Sequence, residues 1–315
     1  MSSADISIII PMKNLENKIS SILMAVSADC CNFNAEFIIV DMGSSDSCVL
    51  EALSIIKDLD LNGTVIQNGS CNLAEALNTG IYKSCGKYVT FLFPDRIYYN
   101  YIYEYIKNDE FPDYDIIFSY MFEGEKRTPH NLINSSSGKD ILESYLKGNI
   151  KVDIAAVLIN RDFIIKSKIK FYEDLNCDGL ESFIINILLK TNNIKVSDYR
   201  LKRYEKYEVP KYIDLKVSSC LDEIESILRS REIALYLYDK KDYLNELFTY
   251  QKVPMIVMKC IDELLKGNLS YRGVKKILRL KKYDKLLVFN KITDKELKRS
   301  IKRWKYTPLY YLRKK

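Results

Sequence analysis

KYVTFLFPDR, residues 87–96, decides how the chain is read. Val89, Phe91 and Phe93 with their apolar neighbours form a short β-branched and aromatic run of the kind that is buried on both faces of a sheet. Pro94 has no N–H for a ladder and stops the strand. Asp95 is thereby delivered at the strand's carboxyl end, with Arg96 behind it. In an open parallel sheet ligands bind outside that edge, so a carboxylate there is a candidate for holding a metal ion or a phosphate-bearing substrate. Turns also favour Asp, so Asp95 by itself decides nothing.

Upstream, Ile6 to Ile10 followed by Pro11 reads as a first buried strand, and Leu15, Ile19, Ile22, Leu23 and Val26 have the spacing of a helix over 14–26. EFIIVD (36–41) repeats the pattern and ends in Asp41. The turn Met42-Gly43-Ser44-Ser45-Asp46 then caps a helix over 48–57. A short strand (64–67), the turn Asn68-Gly69-Ser70 and a helix over 72–84 closed by Gly86 lead back to the strand that carries Asp95. Strands alternating with helices of this length predict right-handed crossovers and a mainly parallel sheet with helices on both faces.

Downstream, Tyr98, Tyr101, Ile102, Tyr105 and Ile106 share a helical face, read as core packing. A strand is expected at 115–121, and 122–137, which holds the one histidine, His130, reads as a polar loop. A helix over 138–147 and a strand at 154–159 follow, and then the segment 161–166. Then comes FYEDLNCDGLESF (171–183), whose end opens an amphipathic helix. Beyond Pro210 every segment (214–229, 232–250, 253–266 and the lysine-rich remainder) has helical spacing. The predicted division is an α/β domain over 1–208 and a small all-helical domain over 209–315, whose apolar faces in 215–266 are a candidate subunit contact.

The composition, with 47% apolar and 29% charged residues among 315, is that of a globular chain with room for two domains. No apolar run spans a bilayer and the N-terminal stretch has no leader pattern, so a cytoplasmic location is expected. The eight cysteines form no CxxC pair, which argues against a zinc site or a disulfide framework. The net charge of +6 is uneven: 271–315 has 17 Lys and Arg against Asp284, Asp294 and Glu296, a balance of +14, so the remainder carries −8. The end of this segment, KRWKYTPLYYLRKK (302–315), mixes cations with aromatic rings, a pattern suited to an anionic membrane surface. No nucleic-acid motif accompanies the charge.

The ordered set SIIIPMKN (7–14), FIIVDMGSSD (37–46), NGSCNLAEALNTGIYKSCGKYVTFLFPD (68–95) and IKFYEDLNCDGLESF (169–183) resembles the family 2 glycosyltransferases of the GT-A, Rossmann-like fold over roughly the first 200 residues. The resemblance implies a nucleotide-sugar donor, a UDP-sugar first of all, lying across the carboxyl edge of the sheet. It also implies Mn2+ or Mg2+ on the diphosphate and transfer with inversion to a hydroxyl of a bacterial surface polysaccharide or lipid-linked glycan. Residue by residue, Asp95 matches the metal-bridging acid, Pro11 to Lys13 and Asp41 the cradle of the nucleobase and ribose, and Asn78 with Gly80 the helix beneath the donor. The base that deprotonates the acceptor falls within CDGLES, as Asp178 or Glu181.

Three positions depart from the family pattern. Met42 stands where a second acid is usual, and Phe93 and Arg96 flank Asp95 where acids are common. A single carboxylate can hold Mg2+ or Mn2+ when phosphates complete the shell, and Arg96 is placed to share the charge offset. The departures leave a second reading open, a degenerate transferase domain that binds or scaffolds without catalysing.

Overall fold

The computed structural model describes residues 4–30, 34–93, 98–99, 114–121, 137–150, 152–177, 179–203 and 217–307. Its first half follows the alternation expected: β1 (Ile6–Met12), α1 (Ile19–Asp29), β2 (Ala35–Asp41), α2 (Cys48–Asp58), β3 (Gly63–Gln67), α3 (Leu73–Lys83) and β4 (Tyr88–Phe91). After these come β5 (Tyr98–Tyr99), β6 (Ile116–Met121), α4 (Gly138–Leu146), β7 (Val157–Asn160), α5 (Arg161–Lys166), α6 (Leu180–Lys190) and β8 (Ile194–Arg203). Among the described residues the sheet has the order β3-β2-β1-β4-β7-β6-β8-β5. β1 pairs in parallel with β2 and β4, β2 with β3, and β6 with β8; β7 runs antiparallel to β4 and β6, and β5 to β8.

All seven residues of β1 and of β2 are buried, as a strand covered on both faces requires. Ile6, Ile8, Ile10 and Met12 join Ile19, Ile22, Leu23 and Val26 of α1 and Cys48, Ala52 and Ile55 of α2 in one core cluster. On the opposite face α3 lies so close that a Cβ on Gly80 would sit 2.4 Å from Ile9 Cγ2.

Three local expectations are revised. Pro11 does not end β1, which continues to Met12. β4 pairs no further than Ile9 on the side toward which the nitrogen of residue 11 points, so the missing N–H leaves no ladder bond unmade. The first helix starts at Ile19 rather than near residue 14, because Asn14 (φ +50°) and Asn17 (φ +64°) turn the chain back on itself. Tyr98 and Tyr99 are strand rather than helix; the rest of 97–106 lies outside the described residues.

The chain divides into two compact units, one made of 1–141, 150–173 and 190–212, the other of 142–149, 174–189 and 213–315. A single cut at residue 208 therefore simplifies the organisation. Residues 174–182 are held by the helical unit: Asp174 by Arg229 (2.8 and 2.6 Å), the Asn176 N–H by Asp222 (2.9 Å), and Glu181 by Lys252.

In that second unit, α7 (Val217–Leu237) is followed by α8 (Tyr243–Leu247), which passes through a π-turn, Phe248–Lys252, into α9 (Val253–Lys266). The wider turn lies just ahead of Pro254, whose ring and missing N–H disturb the ladder one turn back. The apolar residues of α9, from Val253 through Ile256, Val257 and Ile261 to Leu264, are buried in the unit's own core. α10 (Tyr271–Leu280) and α11 (Lys295–Tyr306) close it, with Trp304 3% exposed and edge-on to Tyr271 at 4.7 Å. No helix of the described residues is long and apolar enough to cross a membrane.

Candidate functional site: the carboxyl edge of the parallel strands

β1, β2 and β3 end level. Met12 is in register with Asp41, and Asp41 with Gln67, so the loops after the three strands leave from one edge. Asp41 is 4% exposed and accepts the N–H of Gly43 (3.3 Å) and of Ser44 (3.1 Å), which bends the loop back over the strand end. Gly43 has φ +78°, and a Cβ there would meet Gly69 O and the Ser70 backbone at 3.0 Å. Only glycine lets the loop after β2 rest on the loop after β3. The Asn68 N–H donates to the Asp41 carbonyl (3.0 Å), joining the two loops again.

Lys13 belongs to the same rim. Burial pushes the Cys71 thiol up from its ordinary value; the Asn68 side chain works against this, the charges of Glu75 and Asp41 add to it, and Lys13 opposes them. Lys13 follows Met12 directly and so leaves the sheet at the end where Asp41 and Gln67 stand. Pro11 lies one step inside, paired with Val40.

Sequence reasoning missed how the first two loops are sewn together. Ser44 Oγ accepts the Asn14 N–H (3.0 Å), Asn14 Oδ1 accepts the Ser45 N–H (2.9 Å), Asp46 accepts from Glu16 N–H (2.9 Å), and Glu51 from Asn17 N–H (2.9 Å). The signal was present in Asn14, Asn17 and the run GSSDS, residue types that tolerate left-handed backbone and accept from local N–H groups. Side chains thereby satisfy the loop N–H groups, while Asn14, Glu16 and Ser45 remain exposed along the rim.

Asn78 sits on α3 with its amide spent on the chain. It donates to Phe171 O (3.0 Å) and Glu173 Oε1 (2.7 Å) and accepts the Phe171 N–H (3.0 Å). Asn72 caps α3 and donates to Glu173 O (2.7 Å), so 171–173 is fastened along the helix. The position one helical turn from Asn78 toward the cap is Ala74, which is buried.

Asp95, Arg96 and Asp178 lie outside the described residues, as does His130. Glu181 is placed, on the first turn of α6, and it is engaged. Its carboxylate pairs with Lys252, 3% exposed, and accepts the Tyr145 hydroxyl (2.7 Å), while the Lys252 ammonium stands 5.0 Å over the Tyr145 ring. Burial pushes Glu181 up, but the Lys252 charge and hydrogen bond, with that of Tyr145, outweigh it and hold the group below the ordinary carboxylate range. Such a carboxylate is weakly basic, and its Oε1 is engaged by both Lys252 and Tyr145.

Met42 and Phe93, the residues in place of acids, are each 2% exposed and belong to the core. Among the described residues no group of three or more His, Cys, Asp and Glu side chains is placed to hold a metal ion.

The sequence matches the model of glycosyl transferase family 2 over residues 7–166, just over half of the 315. No curated protein matches it. Among solved structures, S. aureus TarS 1–349 in complex with UDP-GlcNAc aligns with a TM-score of 0.57 and 16% identity, covering 83% of this chain and 73% of that one. The mannosyltransferase PcManGT from Pyrobaculum calidifontis, in complex with GDP-Man and Mn2+, aligns with a TM-score of 0.55 and 13% identity over 98% of this chain and 88% of the other. Of the longer S. aureus TarS structure this chain spans 43%. At such identities the likeness is one of fold, and the α/β architecture with its helical C-terminal region is the one these proteins share.

Proposed function

The chain belongs to glycosyl transferase family 2, and from that premise we propose that it transfers a sugar, with inversion, from a UDP-sugar to a hydroxyl of a bacterial surface glycan. The observation that carries the proposal is the rim at the ends of β1, β2 and β3. There Asp41 and Gly43 hold two loops against each other beside Lys13, at the edge where an open parallel sheet takes its ligand. UDP is favoured as the nucleotide because a structural neighbour was obtained with UDP-GlcNAc.

In this reading Pro11, Lys13 and Asp41 shape the seat of the nucleobase and ribose. Asn78 acts at one remove, holding 171–173 on α3. Asp95, with Arg96 beside it, is the residue that would hold Mn2+ or Mg2+ at the diphosphate, where the ion would supply an offset for the charge of the departing nucleotide. Asp178 removes the acceptor proton. Glu181, the other candidate, holds Lys252 and braces the start of α6 instead. The acceptor is a polysaccharide or lipid-linked glycan met at an anionic membrane surface, the protein being cytoplasmic and peripheral.

Release of UDP from a panel of UDP-sugars, with and without a cell-envelope glycan fraction as acceptor, tests this. Acceptor-dependent release that falls by about 10² to 10⁴ in Asp178→Asn is expected. Full turnover in that variant removes Asp178 as the base. If no UDP-sugar is consumed, the second reading, a non-catalytic binding or scaffolding module, takes its place; the burial of Met42 and Phe93 where acids are usual is the observation that favours it.

A further inference from the structure

The sequence places the positive charge in 271–315 and expects a membrane-suited pattern at its end, 302–315, of which the structure describes 302–307. Trp304, the largest aromatic of that stretch, is in the core against Tyr271, and its carbonyl accepts the Tyr271 hydroxyl (3.3 Å), so this ring is not offered to a surface. What is offered is α10. Tyr271, Val274 and Leu278 are its buried stripe, and Arg272, Lys275, Lys276, Arg279 and Leu280 line a shallow groove of about 400 Å³ on its other side. Leu280 is 74% exposed, and α10 contains no acid. Arg272, Lys276 and Arg279 are exposed at helical spacing, and Lys281 and Lys282 continue the charge at the helix end. On α11, Lys295, Arg299, Lys302 and Arg303 are exposed as well.

We propose that the face of α10 formed by Arg272, Lys276, Arg279 and Leu280 docks on an anionic lipid bilayer. Charge complementarity carries the choice of partner. A row of cations without an intervening acid gains from the negative potential of a leaflet rich in anionic headgroups, and an exposed leucine among them suits the boundary between headgroup and acyl chain. A single-stranded nucleic acid would want aromatic faces on which to stack bases; the one aromatic of α10, Tyr271, is buried, and the exposed ring of α11, Tyr306 (73%), is not among the residues that line the groove. The inference deepens the reading in which the acceptor is borne by a membrane, and rests on it for its purpose. The surface itself is independent of the donor site.

The test is sedimentation of the full chain with phosphatidylcholine vesicles with and without phosphatidylglycerol, at about 0.1 M and about 0.5 M salt, where screening lengths differ by roughly a factor of two. The wild type is expected to co-sediment with the anionic vesicles alone and to be released at the higher salt. The triple variant Arg272→Gln/Lys276→Gln/Arg279→Gln is expected to lose on the order of a hundredfold in partitioning. A charge-matched control, Lys57→Gln/Lys83→Gln/Lys170→Gln, should partition like the wild type. Both variants should keep the wild-type far-UV spectrum and bind UDP as the wild type does, so failure of the surface and failure of the donor site read separately. No co-sedimentation of the wild type, equal losses in the two triple variants, or tighter retention on polyuridylate than on anionic vesicles overturns the proposal.

Discussion

β2 carries a buried carboxylate near each end, and the two ends are built to opposite purposes. At the amino end Glu36, 9% exposed, accepts the N–H of Cys85 (2.6 Å) and of Gly86 (2.9 Å), the Ser7 hydroxyl and the Cys85 thiol (2.9 Å). Burial pushes its pKa up and these hydrogen bonds more than offset that, leaving it below the ordinary value. The surroundings close over it: a Cβ on Gly86 would lie 2.7 Å from the Ile6 and Ser7 backbone. At the carboxyl end Asp41 accepts two N–H groups of its own turn, and beyond it lie the exposed Asn14, Glu16 and Ser45. Burial of a carboxylate therefore marks no site by itself. The candidate site is at the end where the loops bond side chain to backbone and leave a polar edge outward.

The distinction is open to test, the largest effect first. Glu181 belongs with Glu36 as a group engaged by the fold, so Lys252→Ala, which removes its ion-pair partner, should cost about 3–5 kcal/mol in chemical denaturation, and Glu181→Gln/Lys252→Met should recover most of that. Were the single variant harmless, the pair would be no brace. Glu36→Ala takes the acceptor from the Cys85 N–H and from the Ser7 hydroxyl and leaves the Gly86 N–H with Ser7 Oγ alone, and a loss of about 3 kcal/mol with unchanged UDP affinity is expected.

Asp41→Ala should reverse that pattern, costing about 1–2 kcal/mol of stability but at least about tenfold in UDP affinity by titration calorimetry. Equal effects of the two variants on affinity would erase the contrast between the ends. The smallest effect is in the pH profile. The folded pKa of Glu36 lies below its unfolded value of about 4.3, so its stabilisation is complete above that value and is lost as pH falls through the folded pKa. The acid limb of stability should accordingly flatten in Glu36→Gln.

What the sequence made legible was whatever local pattern controls. β1, β2 and β4 are predominantly apolar runs, and the loops that follow β1 and β2 contain Asn, Gly, Ser and Asp. β8 was missed, because IKVSDYRLKR spreads charge along its length and becomes a strand through pairing with β6, with Ile116 opposite Ile194. The start of α1 was misjudged for a related reason: the hydrogen bonds that hold 14–17 off the helix come from side chains about thirty residues on. Glu181 could be chosen as a candidate base from its place after Asp178, but its partner is 71 positions away and no spacing announces it. Trp304 likewise looked like a surface aromatic until Tyr271, 33 positions earlier, was found against it.

The central claim is that a uridine diphosphate seats at the ends of β1, β2 and β3 with Asp95 at its phosphates. Thermal unfolding with UDP and Mn2+ at about a hundred times the dissociation constant tests it most directly. A stabilisation of about 2.7 kcal/mol is expected in the wild type and should vanish in Asp95→Asn. No stabilisation of the wild type, or the same gain in the variant, would contradict the account.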